Sequence, residues 1–172
     1  MEIIVRNRQR RYKVEMSTIQ VMVDKLSPAV IENIKKNKPK WIGSLVSVEK
    51  SASLSLHIVS GAMIRKLNKQ WLGKDKETDV LSFPLLDVSS LKTETKSNIQ
   101  PQDYELGEIF ISYDQAKIQA KQYNHGLERE IAFLFVHGLL HIFGFDHQNP
   151  SDEKDMFARQ RKILNNVGYS RR

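Results

Sequence analysis

The sequence contains no cysteine among its 172 residues. Disulfide-stapled folds and metal sites built from thiolates are therefore excluded, because both need cysteine sulfur. The lack of cysteine also fits a cytoplasmic protein, since structural disulfides are characteristic of oxidising compartments.

Long apolar runs are also lacking. The longest uninterrupted run is Ile131 to Val136, far shorter than the ~20 residues that a membrane-spanning helix requires. Met1 to Arg6 lacks the longer apolar core of a secretory signal peptide. We expect no membrane partner and a single domain over residues 1–172, because this length suits one domain with a sizeable core.

Acidic residues are fewer than basic ones, and the net charge is +7. Residues 1–50 carry 11 Lys and Arg against 5 Asp and Glu, whereas residues 101–150 carry 3 against 7. A basic surface beside a less basic segment suits a polyanionic partner bound through its phosphates. Many basic proteins bind no nucleic acid, so charge alone leaves this open. The basic stretch from Arg6 to Lys13 is either a phosphate-contacting arm or a solvated turn.

Hydrophobic periodicity predicts strands interspersed with helices. The predicted strands cover 2–6, 53–59, 78–83 and 107–112, and the predicted helices cover 17–26, 28–37, 61–71, 112–123, 127–142 and 151–167. Ser27-Pro28 indicates either a new helix or a sharp kink. The pattern gives an α+β domain with a mixed sheet of about four strands and about five or six helices. Residues 86–105 are polar without periodicity, which predicts a mobile loop.

Three histidines at a fixed spacing stand out, namely His137, His141 and His147. The predicted helix that contains the first two ends near Gly144, a residue that readily adopts the left-handed conformation of a helix terminus. His137 and His141 lie one turn apart on one face, and the chain can then double back to bring in His147. Three imidazoles plus water form the ligand set of an open, catalytic zinc site. The sequence therefore predicts one Zn²⁺ at the end of a central helix.

The other two histidines, His57 and His125, lack such spacing and are interpreted as structural. The same triple spacing occurs in metzincin peptidases, which place a catalytic glutamate directly after the first histidine. Here that position is Gly138, and without the acid/base carboxylate an amine leaving group is hard to expel. Glycine also costs about 1 kcal/mol relative to alanine inside a helix. We expect an offsetting reason, either close approach of a strand or room for substrate.

Three segments carry more specific motifs. They are N-K-Q-W-L-G-K-D-K-E-T-D-V-L-S-F-P at 68–84, L-G-E-I at 106–109 and V-H-G-L-L-H-I-F-G-F-D-H at 136–147. Together they resemble the YbeY endoribonucleases, also called rRNA maturation factors, over most of the chain. The resemblance implies a single zinc held by His137, His141 and His147. It also implies cleavage of single-stranded RNA, 3′-end maturation of small-subunit ribosomal RNA, and a role in ribosome quality control.

Two positions depart from the family pattern. Many members have an arginine, thought to help hold substrate, where this chain has Leu72. Its role could pass to Lys69, Lys74 or Lys76. Members usually have aspartate where this chain has Glu108, which keeps the charge on a longer side chain.

On the nuclease hypothesis, zinc lowers the pKa of a bound water, the proposed nucleophile, and polarises a phosphoryl oxygen. The sequence identifies no general base, nor whether water or the RNA 2′-hydroxyl attacks. Asp79, Glu108 and Asp146 are candidates either for that base or for orienting the histidines. Two alternatives stay open. One is a non-catalytic ribosome-assembly factor with a structural zinc, and the less favoured one is a metallopeptidase.

Overall fold

The computed structural model of the protein describes residues 1–36, 52–85, 104–145 and 149–170. The strands are β1 (Glu2–Asn7), β2 (Ala52–Val59), β3 (Val80–Pro84) and β4 (Tyr104–Ser112). The helices of these ranges are α1 (Met16–Lys36), α2 (Gly61–Leu72), α3 (Tyr113–Gln122), α4 (Leu127–Ile142) and α5 (Pro150–Asn166). The predicted α+β class, with four strands and five helices in the described ranges, is confirmed.

The four strands form one mixed sheet in the order β1-β2-β4-β3. Strands β1, β2 and β4 are parallel, whereas β3 lies antiparallel at the edge. Successive side chains of a strand point to opposite faces. On β4, Ile109 and Ile111 belong to the large core beneath α1, α4 and α5, whereas Phe110 packs with Ile64 of α2 on the other face.

Helix α4 is the central helix of the large core. Its buried residues include Phe135, Val136 and Leu139, each with 0% of its surface exposed. The apolar residues cover most of the helix circumference, and this is typical of a helix enclosed on several sides. The face that carries His137 and His141 is the partly exposed one. Core packing therefore fixes the helix that presents both histidines.

Helix α1 runs without interruption from Met16 to Lys36 and has Pro28 inside it. The prediction of a new helix that begins at Ser27-Pro28 is wrong, because Ser27 is a buried helical residue. Proline removes one backbone hydrogen bond from a helix. Leu26 and Val30 on either side of it are fully buried in the same core, and this shared burial holds the helix together across the proline.

The carboxylate of Asp114 binds the basic stretch after β1 to the rest of the fold. Asp114 Oδ1 accepts hydrogen bonds from the Tyr12 hydroxyl at 3.0 Å and from Arg11 Nη1 at 3.2 Å. Its Oδ2 accepts from the backbone N–H of Gly61 at 2.8 Å. These bonds give Arg11 and Tyr12 a structural role, while Arg10 and Lys13 stay exposed.

The predicted loop 86–105 lies outside the described residues except at its end, where Tyr104 and Glu105 already belong to β4. Those two residues were wrongly assigned to the loop, since they pair with Ala52 and Ser53 of the parallel strand β2. Across the described parts of the chain, no helix is both long enough and apolar enough to cross a membrane.

Candidate metal centre

The histidine helix ends as its sequence predicts. Helix α4 stops at Ile142, and Gly144 follows with a φ of 77°. This is the left-handed conformation that favours glycine at a helix terminus. The Gly144 N–H donates to the carbonyl of His141 at 2.8 Å. The chain therefore turns away from the helix axis immediately after the second histidine.

His137 and His141 face a common point. Their Nε2 atoms lie 3.2 Å apart, and their rings meet edge to face at 80°. Two imidazole nitrogens bound to one tetrahedral zinc at the usual Zn–N length would lie about 3.3 Å apart. The observed separation is therefore one at which both nitrogens could bind a single metal ion.

The buried side chain of Gln160 on α5 orients His137. Its Nε2 donates to the carbonyl of Phe133 at 2.8 Å, so its Oε1 is the acceptor that faces His137 Nδ1 at 3.4 Å. An acceptor at this position favours the tautomer with the proton on Nδ1, in which the Nε2 lone pair is directed toward the common point. Outer partners of this kind fix the tautomer of metal-binding histidines. Nothing in the local sequence around Gln160 indicates this role, because it lies 23 residues away on another helix.

Two aromatic rings flank His137. Phe133 is stacked at a centroid distance of 6.3 Å, and Phe157 of α5 at 6.2 Å. Apolar neighbours restrict water around a polar site and strengthen its electrostatic interactions. The rings also limit rotation of the imidazole, which preorganises the pair.

The third predicted ligand, His147, lies outside the described residues, as does Asp146. Within the described ranges, no cluster of three potential metal-binding side chains is found. The two placed histidines nevertheless have the spacing and orientation that zinc ligands need, and Gln160 supports the required tautomer of His137. In the sequence, His147 follows His141 by six residues and comes after the left-handed conformation at Gly144.

Gly138 is explained by close approach of the sheet. A Cβ atom at this position would lie 2.9 Å from Cγ2 of Ile109 and 2.9 Å from Oγ of Ser82. Both residues are on strands that pack against α4, one on β4 and the other on β3. Of the two reasons anticipated for this glycine, the approach of a strand is confirmed.

Glu108 points away from the histidine pair. Its neighbour Ile109 faces α4, and alternation along the strand directs Glu108 to the opposite side of the sheet. There Glu108 Oε1 lies 2.9 Å from Nε2 of the fully buried His57. Burial lowers the pKa of His57, although the hydrogen bond to Glu108 opposes this shift. Glu108 is therefore not placed to orient His137 or His141.

Asp79 lies close to the start of β3. Its Oδ1 accepts from the backbone N–H of Val80 at 2.8 Å, and its Oδ2 accepts from Gln119 Nε2 at 2.9 Å. Asp79 and His137 line the same cavity of about 520 Å³. His125, interpreted as structural, contacts the buried Glu130 at 2.9 Å in the wall of this cavity.

Leu72, which stands where many family members have an arginine, is on α2, beneath the other face of the sheet. Leu72 is 52% exposed at the end of this helix. Among the lysines suggested as replacements, Lys69 contacts Asp75 at 2.7 Å. Lys74 and Lys76 are exposed in the turn that follows.

Comparison with known proteins identifies the family of this chain. The family model described as Endoribonuclease YbeY matches residues 5–168. A protein of that name from Acholeplasma laidlawii is 39% identical over 161 residues, covering 94% of this chain and 95% of its own. Another from Caldicellulosiruptor saccharolyticus is 33% identical over 171 residues, covering 99% of this chain and 100% of its own.

A relative from Bacillus pumilus, also named Endoribonuclease YbeY, is 42% identical over 134 residues, which are 77% of this chain and 82% of its own. The solution structure of TM1509 from Thermotoga maritima matches the fold with a TM-score of 0.57 at 25% identity. It covers 96% of this chain and 88% of that one. The family model matches most of the chain, two relatives of that name share nearly its whole length, and the fold matches as well. The chain therefore belongs to the YbeY family.

Proposed function

We propose that this protein is a zinc-dependent endoribonuclease that cleaves single-stranded RNA. The observation that carries the proposal is the 3.2 Å separation of the two imidazole Nε2 atoms, with Gln160 holding the proton of His137 on the other nitrogen. The names of the relatives support RNA as the substrate. The family resemblance extends the proposal to processing of small-subunit ribosomal RNA and to ribosome quality control.

His137 and His141 would hold the zinc together with His147. When bound there, zinc would supply a Lewis acid for a phosphoryl oxygen and lower the pKa of a coordinated water toward about 7. Gln160 keeps the His137 lone pair directed at the site, and the rings of Phe133 and Phe157 restrict its movement. Fixed groups of this kind suit phosphoryl transfer, which depends mostly on positioning and electrostatic stabilisation.

Gly138 separates this site from that of a metallopeptidase. The position where metzincins place their glutamate faces Ile109 and Ser82 and has no room even for a Cβ atom. A carboxylate could not be accommodated there without displacing the sheet. The peptidase alternative therefore lacks its acid/base group for a steric reason.

The test is cleavage of one end-labelled single-stranded RNA by the wild-type protein and by His141→Ala, purified in parallel. We expect cleavage by the wild type, and loss of it in a variant whose circular dichroism is unchanged. Equal cleavage by both would indicate contaminating ribonuclease. No cleavage by zinc-loaded wild type would contradict the proposal and favour a non-catalytic assembly factor.

A further inference from the structure

A cavity of about 520 Å³ opens beside the candidate metal centre. It lies among α3, α4, α5 and the start of β3, and His137 forms part of its wall. Cavities of about 300–1,000 Å³ are of the size that binds small molecules or single building blocks of a polymer. One nucleotide of an RNA strand fits this range.

The wall of the cavity offers aromatic surface. Tyr123, Phe133 and Phe157 all line it, and Tyr123 at the end of α3 is 47% exposed. The Tyr123 ring is itself stacked on His125 at a centroid distance of 6.2 Å, which holds it at the wall. Aromatic rings bind unstacked bases of single-stranded RNA by stacking.

The charged groups of the wall favour a neutral ligand over a phosphate. Asp79 and Glu130 both contribute carboxylates, and Glu130 is only 2% exposed. The guanidinium of Arg129, also in the wall, lies 4.0 Å from Glu130. Because Arg129 pairs with Glu130, the charge that these three groups leave in the wall is that of Asp79, which disfavours a phosphate and can accept from the N–H groups of a base.

Gln119 supplies a further acceptor in the wall. Its Nε2 donates to Asp79, which fixes the orientation of the amide. Its Oε1 is enclosed and has no hydrogen-bond partner in the described part of the chain. Buried carbonyls without a partner are uncommon, so a donor on a bound ligand would complete the hydrogen bonding of this amide if Oε1 turns toward the cavity. Asp79 and Gln119 thus form a polar edge next to the aromatic surface.

We propose that this cavity binds one base of the RNA strand, stacked on Tyr123 and read by the polar edge formed by Asp79 and Gln119. The inference rests on the proposed function, because it makes the nucleotide a neighbour of the phosphate presented to the histidines. Phosphates of the strand would contact basic surface elsewhere. The cavity would bind a base, while the metal held by the two histidines would act on the neighbouring phosphate of the RNA backbone.

The experiment measures binding of a fluorescent single-stranded RNA of about eight nucleotides by anisotropy, with a chelator present to prevent metal-dependent cleavage. A series of RNAs carries one abasic nucleotide at each position in turn. The proteins are the wild type, Tyr123→Ala and the matched control Ile118→Ala. Ile118 is 55% exposed on the same helix and is absent from the cavity wall.

In the wild type and in Ile118→Ala, we expect one abasic position to weaken binding about fivefold or more. In Tyr123→Ala, intact RNA should bind about fivefold more weakly, and the same abasic position should change affinity less than about twofold. The inference would be overturned if binding by Tyr123→Ala depended on the abasic position as strongly as binding by the wild type does. It would also be overturned if no abasic position weakened binding by the wild type, or if the wild type did not bind the RNA. Because no cleavage is needed, an abasic effect without nuclease activity would contradict only the proposed function.

Discussion

Gly138 lies so close to Ile109 that no space is left between the helix and the sheet for a methyl group on the glycine. A Cβ atom at Gly138 would meet Cγ2 of Ile109 at 2.9 Å. Ile109 is fully buried, and its β-branched side chain is stiff. The glycine therefore sets how near α4, and with it the histidine pair, lies to the strands.

Gly138→Ala should destabilise the protein although alanine is the better helix former. The substitution gains about 1 kcal/mol in helix propensity, whereas forcing a methyl group into a packed core costs about 1–3 kcal/mol. We expect the free energy of unfolding, measured by urea denaturation, to fall by about 1 kcal/mol.

The matched control for that substitution is Ala158→Gly at an exposed position of α5. It reports the propensity difference alone, and we expect it to cost about 1 kcal/mol. A Gly138→Ala variant that gains the amount lost in the control would show that the helix and the sheet are not in steric conflict.

Gln160→Met should weaken zinc binding while the fold is retained. Methionine keeps the volume of the side chain but removes the acceptor for His137 Nδ1–H. Loss of such an outer partner typically lowers metal affinity about 10- to 100-fold. Competition with a chromophoric chelator measures this, and Gln122→Met, at an exposed position, is the control. Unchanged affinity in Gln160→Met would show that Gln160 does not orient the ligand.

His57 should make stability depend on pH. Its ordinary pKa is 6.5, and burial lowers the pKa in the folded protein. The unfolded chain therefore binds the proton more readily than the folded protein does. The contribution of His57 to the free energy of unfolding is fully present above about pH 6.5 and is lost as the pH falls below that value.

Urea denaturation of the wild type and His57→Leu at about pH 8 and about pH 5.5 isolates this effect. The difference at the higher pH reports packing and the hydrogen bond to Glu108, because the histidine is then neutral in both states. We expect the wild type to lose more stability than the variant between the two pH values. Equal losses would mean that His57 titrates normally in the fold.

The elements around the site follow from local sequence. The helix at 127–142 and the glycine that follows its end are set by periodicity and by residues a few positions apart. These features form where the decisive contacts are close in the sequence. For the same reason, two histidines four residues apart were predicted to face one point.

Features that depend on distant contacts could not be predicted. Gln160 meets His137 only because α5 packs beside α4, and the His57–Glu108 pair depends on the register of β2 and β4. Pro28 indicated a break that packing on both sides of it overrides. Gly138 was recognised as unusual from its position, but the identity of its neighbour required the sheet.

Zinc titration shows whether cleavage of RNA by this protein depends on the metal. The protein is first stripped of metal with a chelator, and cleavage of one labelled single-stranded RNA is then followed as zinc is added back. We predict no cleavage by the stripped protein and a rise to a plateau at about one zinc per chain. Cleavage that survives stripping, or that never appears at any zinc concentration, would contradict zinc-dependent cleavage.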